Sequence, residues 1–289
     1  MNPYQTQKSS LVESSFSFVH MTTSLAINIS GAFGDVRAAM QQHHIITTLG
    51  WQDVATRYRR SRVGAFWLTI NMMVMLAAIG IVFGSLFRQP MAEFLPYLAI
   101  GLIIWGLLSA LITDGCTSFI SASDTILQLR MPLFTHVMRV VWRNLIILGH
   151  NLLILPLLFL FFMKPITWLA LLAIPGLALL VLNAIWMMII AAVACARFRD
   201  LTQIVQNGML VLFYVTPIMW KAALLPARVG AAMLDFNPFY HLINIIRAPL
   251  LGEAPTALSW TVAVSMTLLG WIVALAFFGI YRKRIPYWL

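Results

Sequence analysis

The sequence predicts an all-α integral membrane protein, and three observations carry that reading. Hydrophobic residues make up 61% of the 289-residue chain and charged residues only 10%, a balance far too apolar for a soluble globular domain of this length. Six apolar runs approach or exceed the ~20 residues that cross ~30 Å of hydrocarbon at 1.5 Å per residue. Finally, Lys and Arg divide very unevenly between the two sides that six crossings define.

The elements follow in chain order. Residues 1–42 read as an N-terminal extension. Its mildly apolar stretch, 16–29, is interrupted by Ser, Thr and Asn and preceded by Glu13. It lacks the basic flank and apolar core of a signal peptide, so a cytoplasmic, partly disordered segment is expected. Residues 43–64 read as an amphipathic interface helix and a basic turn. Trp51, Val54 and Tyr58 recur at i, i+3 and i+7, the spacing of one helix face, which suits a helix lying in the membrane interface. The stretch "RYRRSRVGAFW" then sets Arg57, Arg59, Arg60 and Arg62 against the start of hydrocarbon, with Gly64 closing a tight turn. The membrane domain occupies 65–281, with six transmembrane helices expected at 65–87, 96–119, 137–162, 168–196, 203–220 and 258–281. Residues 282–289 form a short tail.

Six crossings put both termini on one side. That side collects fourteen of the 19 Lys and Arg, leaving Arg88, Lys164, Lys221, Arg228 and Arg247 on the other. Cytoplasmic loops carry the basic excess, so both termini are expected in the cytoplasm. The formal charge of +10 then reflects loops facing anionic lipid and gives no reason to expect nucleic acid.

Between the second and third spans, residues 121–135 are too polar to cross. Ile126, Leu129 and Leu133 fall at i, i+3 and i+7, giving a short amphipathic helix flanked by Asp124 and Arg130. Its apolar face suits a groove on a soluble protein, or rests on lipid. Residues 222–257, before the last span, are semi-apolar and long enough for a pair of short re-entrant external helices, tolerable at membrane depth when packed on protein.

Chemistry-bearing constellations are scarce. Cys116 and Cys195 both lie in apolar runs, where packing rather than a disulfide framework is the simplest role. The six His never take a metal-binding spacing with Cys, Asp or Glu, so no metal site is expected. No catalytic residues are readable. Asp114 is the one carboxylate well inside a span, and a structural ion pair with Arg139 or Arg143 is expected before a proton relay. Asn71, Asn144, Asn151 and Asn183 suit hydrogen bonds between helices.

Four ordered motifs resemble one known family. "RYRRSRVGAFW" resembles the interface-helix signature of the permease subunits of type-2 ABC exporters for polysaccharides, with Val63 where the family usually has Leu. "LRMPLFTHVMRV", centred on Pro132, resembles the family's cytoplasmic coupling segment. "RFRDLTQIVQNGMLVLFYVTPIMW" resembles its Arg-x-Arg-Asp turn and fifth span, ending here in Thr216, Pro217 and Ile218. "NPFYHLINIIRAPLLGEAP" and the tail "YRKRIPYWL" resemble the external loop and C-terminus. The likeness runs from about residue 43 to 289 and excludes the first 40 residues.

The resemblance implies a bacterial inner-membrane homodimer paired with two copies of a separate ABC ATPase. It would move a lipid-pyrophosphate-linked glycan, O-antigen or a related surface polysaccharide, through a channel at the dimer interface. ATP and Mg would sit on the partner, since this chain carries no G-x-x-x-x-G-K-[ST] phosphate loop. It implies coupling to the ATPase through Asp124, Ile126, Leu129, Arg130, Pro132 and Leu133, together with Arg197, Arg199 and Asp200; a charge-anchored helix turn is the simpler role for the last three. First and fifth spans line the family's path, which singles out Phe66, Trp67, Phe83, Phe213, Tyr214 and Trp220 as weak, repeated stacking partners for sugar. On a continuous helix Phe213 and Trp220 share a face, whereas Phe66 and Trp67 cannot both point inward. At the cytoplasmic entrance, Arg57, Arg59, Arg60 and Arg62 around Gly64 can grip pyrophosphate bidentately or simply anchor topology. An external gate would use Asn237, Pro238, Tyr240 and Arg247; Arg247 there meets an anionic group or snorkels to the interface. Two other readings are a drug or lipid exporter permease, with fewer aromatics on its path, and an intramembrane glycosyltransferase, which the lack of clustered external carboxylates disfavours.

Overall fold

The computed structural model describes residues 29–59, 63–64, 66–86, 88–221 and 234–289, and the regular structure among them is helical. In order these are α1 (29–41), α2 (His43–Tyr58), α3 (Phe66–Leu86), α4 (Met91–Cys116), α5 (Ser123–Gln128), α6 (Phe134–Leu152), α7 (Ile154–Phe161), α8 (Ala173–Arg197), α9 (Leu201–Val215), α10 (Pro238–Leu250) and α11 (Ala257–Tyr281).

Among the described residues, five stretches are long and apolar enough to cross a membrane: α3, α4, the α6–α7 pair over Phe134–Phe161, Trp168–Arg197 with α8, and α11. The second begins at Met91 rather than 96, with Pro96 inside it. Between α6 and α7 the helix breaks at Leu153. Pro156 explains the break, because it has no N–H to offer the Leu152 carbonyl and its ring crowds that group. The fifth expected span is shorter than the others. α9 stops at Val215, since Thr216 precedes Pro217 and takes an extended conformation (φ −86°, ψ 136°). Its 15 residues reach about 22 Å as a helix, and residues 216–221 continue without helix.

The core centres on α4, the most enclosed of the long helices, against which α3, α6, α8 and α9 pack. α8 also packs on α10 and α11. Gly176 allows its backbone to approach α10 closely, for a Cβ there would come within 2.7 Å of the Ile245 carbonyl oxygen. Asn183 joins α8 to α11, its amide donating to the Ala263 carbonyl (3.0 Å) and the Thr267 hydroxyl (2.7 Å) while its oxygen accepts from Trp186 Nε1. Such polar bonds satisfy groups that lipid cannot.

Four sequence expectations are refined or corrected. Residues 29–41 of the N-terminal extension form the helix α1, with Ala32 and Ala39 fully buried. Residues 1–28 lie outside the described residues. In α2, the face Trp51, Val54 and Tyr58 does not act as one: Val54 is buried, Trp51 is 60% exposed, and the Tyr58 side chain lies outside the described residues. The packed face of α2 includes Ile46 and Val54, both buried, and Gly50 and Asp53, which lie against α6. The third correction concerns Ile126, Leu129 and Leu133, which do not share a helix face. α5 ends at Gln128, Leu129 is extended (φ −119°, ψ 133°) and Leu133 lies beyond Pro132. Pro132 disfavours helix at Met131 before it, so the chain leaves α5 early. Last, Phe213 and Trp220 are seven apart but only Phe213 is on α9; the same Pro217 effect puts Trp220 beyond the helix.

Candidate functional site

At one end of the bundle an ion network binds α2, α4 and α6. Arg139 on α6 donates through Nε (2.8 Å) and Nη2 (2.5 Å) to the two oxygens of Asp53 on α2, a bidentate fork. One turn on, Arg143 Nη2 donates to Asp114 Oδ2 at 2.7 Å, with its Nη1 3.9 Å from Asp53. Asn144 adds an amide bond to the same Asp114 oxygen at 3.0 Å. Asp114 thus has the structural arginine partner its position called for. Asp53, on the polar side of the expected interface helix, had no assigned role in the sequence reading; its signal was one acid just ahead of the basic turn.

Beside this network the loop after α5 is held by α1. Asp35 accepts hydrogen bonds from the backbone N–H groups of Leu133 (3.3 Å) and Phe134 (2.9 Å), satisfying orphan donors at the start of α6. Leu133, at the N-cap position, has no capping side chain of its own. Burial raises the Asp35 carboxyl above its ordinary value of 3.8, against the opposing pull of those two N–H groups and the charge of Arg282. Arg282 also donates to the Gly31 carbonyl at 2.5 Å, joining the C-terminal tail to α1.

The residues expected to engage an ATPase gather at this end. Asp124 is exposed in the first turn of α5, Ile126 and Leu133 are half-buried and pack on the core, Pro132 is half-buried, and Arg130 is exposed. Leu129 is 56% exposed, as is its neighbour Leu127 to a similar degree. Arg197 ends α8 and lies over the rings of Phe198 (5.5 Å) and Trp288 (5.1 Å), so its cation is stacked against the tail. Arg199 and Asp200 are exposed, and Asp200 makes no capping bond to α9 through its side chain. Of the expected entrance residues, Arg59 is exposed and Gly64 adopts φ +64°, a left-handed turn that suits glycine. Arg60, Arg62 and the Arg57 side chain lie outside the described residues.

The aromatic candidates divide between exposed and packed. Phe66 is 58%, Trp67 48% and Tyr214 59% exposed. Phe66 also meets His150 edge-on at 6.1 Å. Phe83 is half-buried against the core, and Phe213 lies 5.9 Å from Trp105. Trp220 is half-buried, its indole N–H donating to the Tyr214 carbonyl at 3.4 Å.

At the other end, the expected gate residues fasten the break after α9. Asn237 caps α10, its oxygen accepting from Phe239 N (3.0 Å) and Tyr240 N (3.2 Å), with Pro238 in the first turn. The amide of Asn237 donates to Thr216 Oγ1 at 3.1 Å. Arg247 Nη1 donates to the Pro217 carbonyl at 2.8 Å, and its guanidinium lies 4.1 Å from the Tyr97 ring centroid. Tyr97 Oη donates toward the carbonyls of Pro217 (3.0 Å) and Trp220 (3.1 Å). Arg247 is therefore buried rather than snorkelling. Tyr97 went unmarked in the sequence reading, since nothing in a single chain joins residue 97 to 217. Tyr240 and Arg247 also line a cavity of about 690 Å³ with Glu93, Lys164, Lys221 and Glu253. Among the described residues, no three His, Cys, Asp or Glu side chains gather as metal ligands.

Comparison with known proteins agrees with this architecture. The chain is similar to the O-antigen export system permease protein RfbA of Myxococcus xanthus, 25% identical over 218 residues that span 74% of this chain and 82% of that protein. Two proteins of the same name from Klebsiella pneumoniae are 26% and 25% identical over 195 residues, spanning 66% of this chain and 74% of theirs. The pattern of one membrane-protein family matches residues 44–251, from the start of α2 to the end of α10. The chain belongs to the ABC-2 type transporter family.

Proposed function

We propose that the chain is the permease subunit of an ATP-driven exporter that moves a lipid-linked polysaccharide of the O-antigen kind out of the cytoplasm. The observation that carries this is the similarity to three O-antigen export permeases over 66% to 74% of the chain. Two copies would enclose the path, and two separate ABC ATPase chains would bind ATP and Mg and drive it. Exposed Phe66, Trp67 and Tyr214 support the reading as sequence-tolerant stacking surfaces for sugar. Exposed Leu127 and Leu129, beside a loop anchored by Asp35, support an ATPase docking point there. Force applied to that loop reaches α6 through its capped first turn. Both termini lie in the cytoplasm and the complex in the bacterial inner membrane on this reading.

The test is reconstitution. The permease and its ATPase, placed together in proteoliposomes with a fluorescent lipid-pyrophosphate glycan, should transfer glycan across the bilayer only with ATP and Mg. ATP-driven movement of a drug or plain phospholipid, with the glycan left in place, would overturn the assignment.

A further inference from the structure

The cavity beside α10 holds a charge arrangement that gating does not use. Arg247 lies at its wall, only 3% exposed. A guanidinium has five N–H donors; the Pro217 carbonyl takes one, and the Tyr97 ring covers a face. Among the described residues no carboxylate lies within 4.0 Å of Arg247 or of Lys164. Lys221 is held loosely, 3.5 Å from Glu93 and 3.1 Å from Gln89 Oε1. Against these three cations the lining carries two carboxylates, Glu93 and Glu253, so one positive charge is left over. Burying a guanidinium without a carboxylate partner is costly, and an anion entering the cavity removes that cost.

The volume, about 690 Å³, is that of a ligand site and far more than one ion needs. Tyr97 and Tyr240 line the same space, and aromatic rings suit the C–H surfaces of a sugar. We propose that this cavity binds an anionic group, a phosphate or a carboxylate, carried on a body the size of one or two sugars. Arg247 is the buried anchor, Lys164 a second cation at the exposed rim, and Lys221 a cation that moves from Glu93 to the ligand. Only the identity of the carrier rests on the export reading: it is either the exported glycan or an anionic lipid headgroup.

The test uses the full chain in phosphatidylcholine nanodiscs, with glucose 1-phosphate, glucuronate and glucose as probes followed by saturation-transfer NMR. Both anions should bind saturably and glucose should not. Lys164→Gln, an exposed change that leaves the fold intact, should weaken binding about threefold. Arg247→Lys keeps the charge but loses the fork, and should weaken it about tenfold. If phosphatidylglycerol in the disc displaces the sugar phosphate, the lipid headgroup is the carrier; if it does not, the glycan is. Equal binding of glucose, no saturable anion binding, or wild-type binding by both variants overturns the proposal. Since the assay involves no transport, a failure of the export reading would leave its result unchanged.

Discussion

Asp53 and Arg139 show what a single carboxylate does at this depth. Both side chains are mostly shielded, and the fork between them fixes the angle at which α2 meets α6. Removing the charge while keeping the shape, Asp53→Asn, leaves Arg139 with a weaker acceptor and Arg143 with Asp114 alone. Hydrogen bonds to charged groups contribute roughly 1.5 to 3 kcal/mol, and the partial exposure here places the loss near the lower end. A lower thermal midpoint in detergent, with export reduced in proportion to folded protein, is the expected outcome; an unchanged midpoint would mean that the fork contributes nothing. Trp67 and Tyr214 give the opposite expectation. A Trp packed in a core costs about 3 to 5 kcal/mol when cut to Ala, but these two side chains are about half exposed, and exposed changes cost about 0.5 kcal/mol or less. Trp67→Ala and Tyr214→Ala should therefore leave membrane protein level unchanged while slowing export of long glycans. Loss of the protein itself would return both residues to packing.

α1 is the element whose role the sequence conceals most. Asp35 holds its proton more tightly when α1 is docked than when it is released, because burial raises its carboxyl. Docking is therefore strongest below the ordinary carboxylate value of 3.8 and weakens as pH rises through the raised one. Hydrogen exchange over residues 29–41 should accelerate with pH across that range, beyond the intrinsic rate. Asp35→Asn should flatten this dependence, while Asp35→Ala should lose the cap as well, about 1 kcal/mol. Exchange that slows with rising pH would refute the assignment. At the neighbouring loop, Leu129→Asp alters an exposed side chain, so the permease should fold normally yet lose export while ATP hydrolysis by the partner continues. Normal export would remove Leu129 from the docking surface. Long apolar runs were legible as helices because burial in lipid demands them, and Asp114 announced a partner because a charge in hydrocarbon needs one. The bends at Met131 and Thr216 were legible in principle, since each precedes a proline, but helical spacing was extended across them. Asp35 was not legible: its partners are backbone N–H groups 98 and 99 residues away, and no side-chain pattern marks those.

For the whole molecule the count of crossings turns on α9, and the tail bears on it. Five long helices among the described residues are an odd number and would put α1 and the C-terminal tail on opposite sides. Yet Arg282, just past α11, bonds to Gly31 on α1, and Trp288 lies under Arg197 at the end of α8. α1 and the C-terminal tail thus meet at one face, as an even count of crossings between them would have it. On that count α9 and the extended residues after it are expected to supply the sixth. A helix of 15 residues gives about 22 Å, and a few residues at about 3.3 Å each complete the ~30 Å of hydrocarbon. The non-helical part is admissible because its carbonyls are satisfied by protein: Pro217 by Arg247 and Tyr97, Trp220 by Tyr97. Single cysteines decide it, placed in a variant in which Cys116 and Cys195, both buried, are Ser. A membrane-impermeant maleimide added to intact spheroplasts should label Lys164→Cys and Glu253→Cys but neither Arg199→Cys nor Lys283→Cys, and all four should label once the membrane is opened. Labelling of Lys283→Cys from outside, with Arg199→Cys and Glu253→Cys both protected, would mean five crossings, and with them the contact between tail and α1 would have to be abandoned.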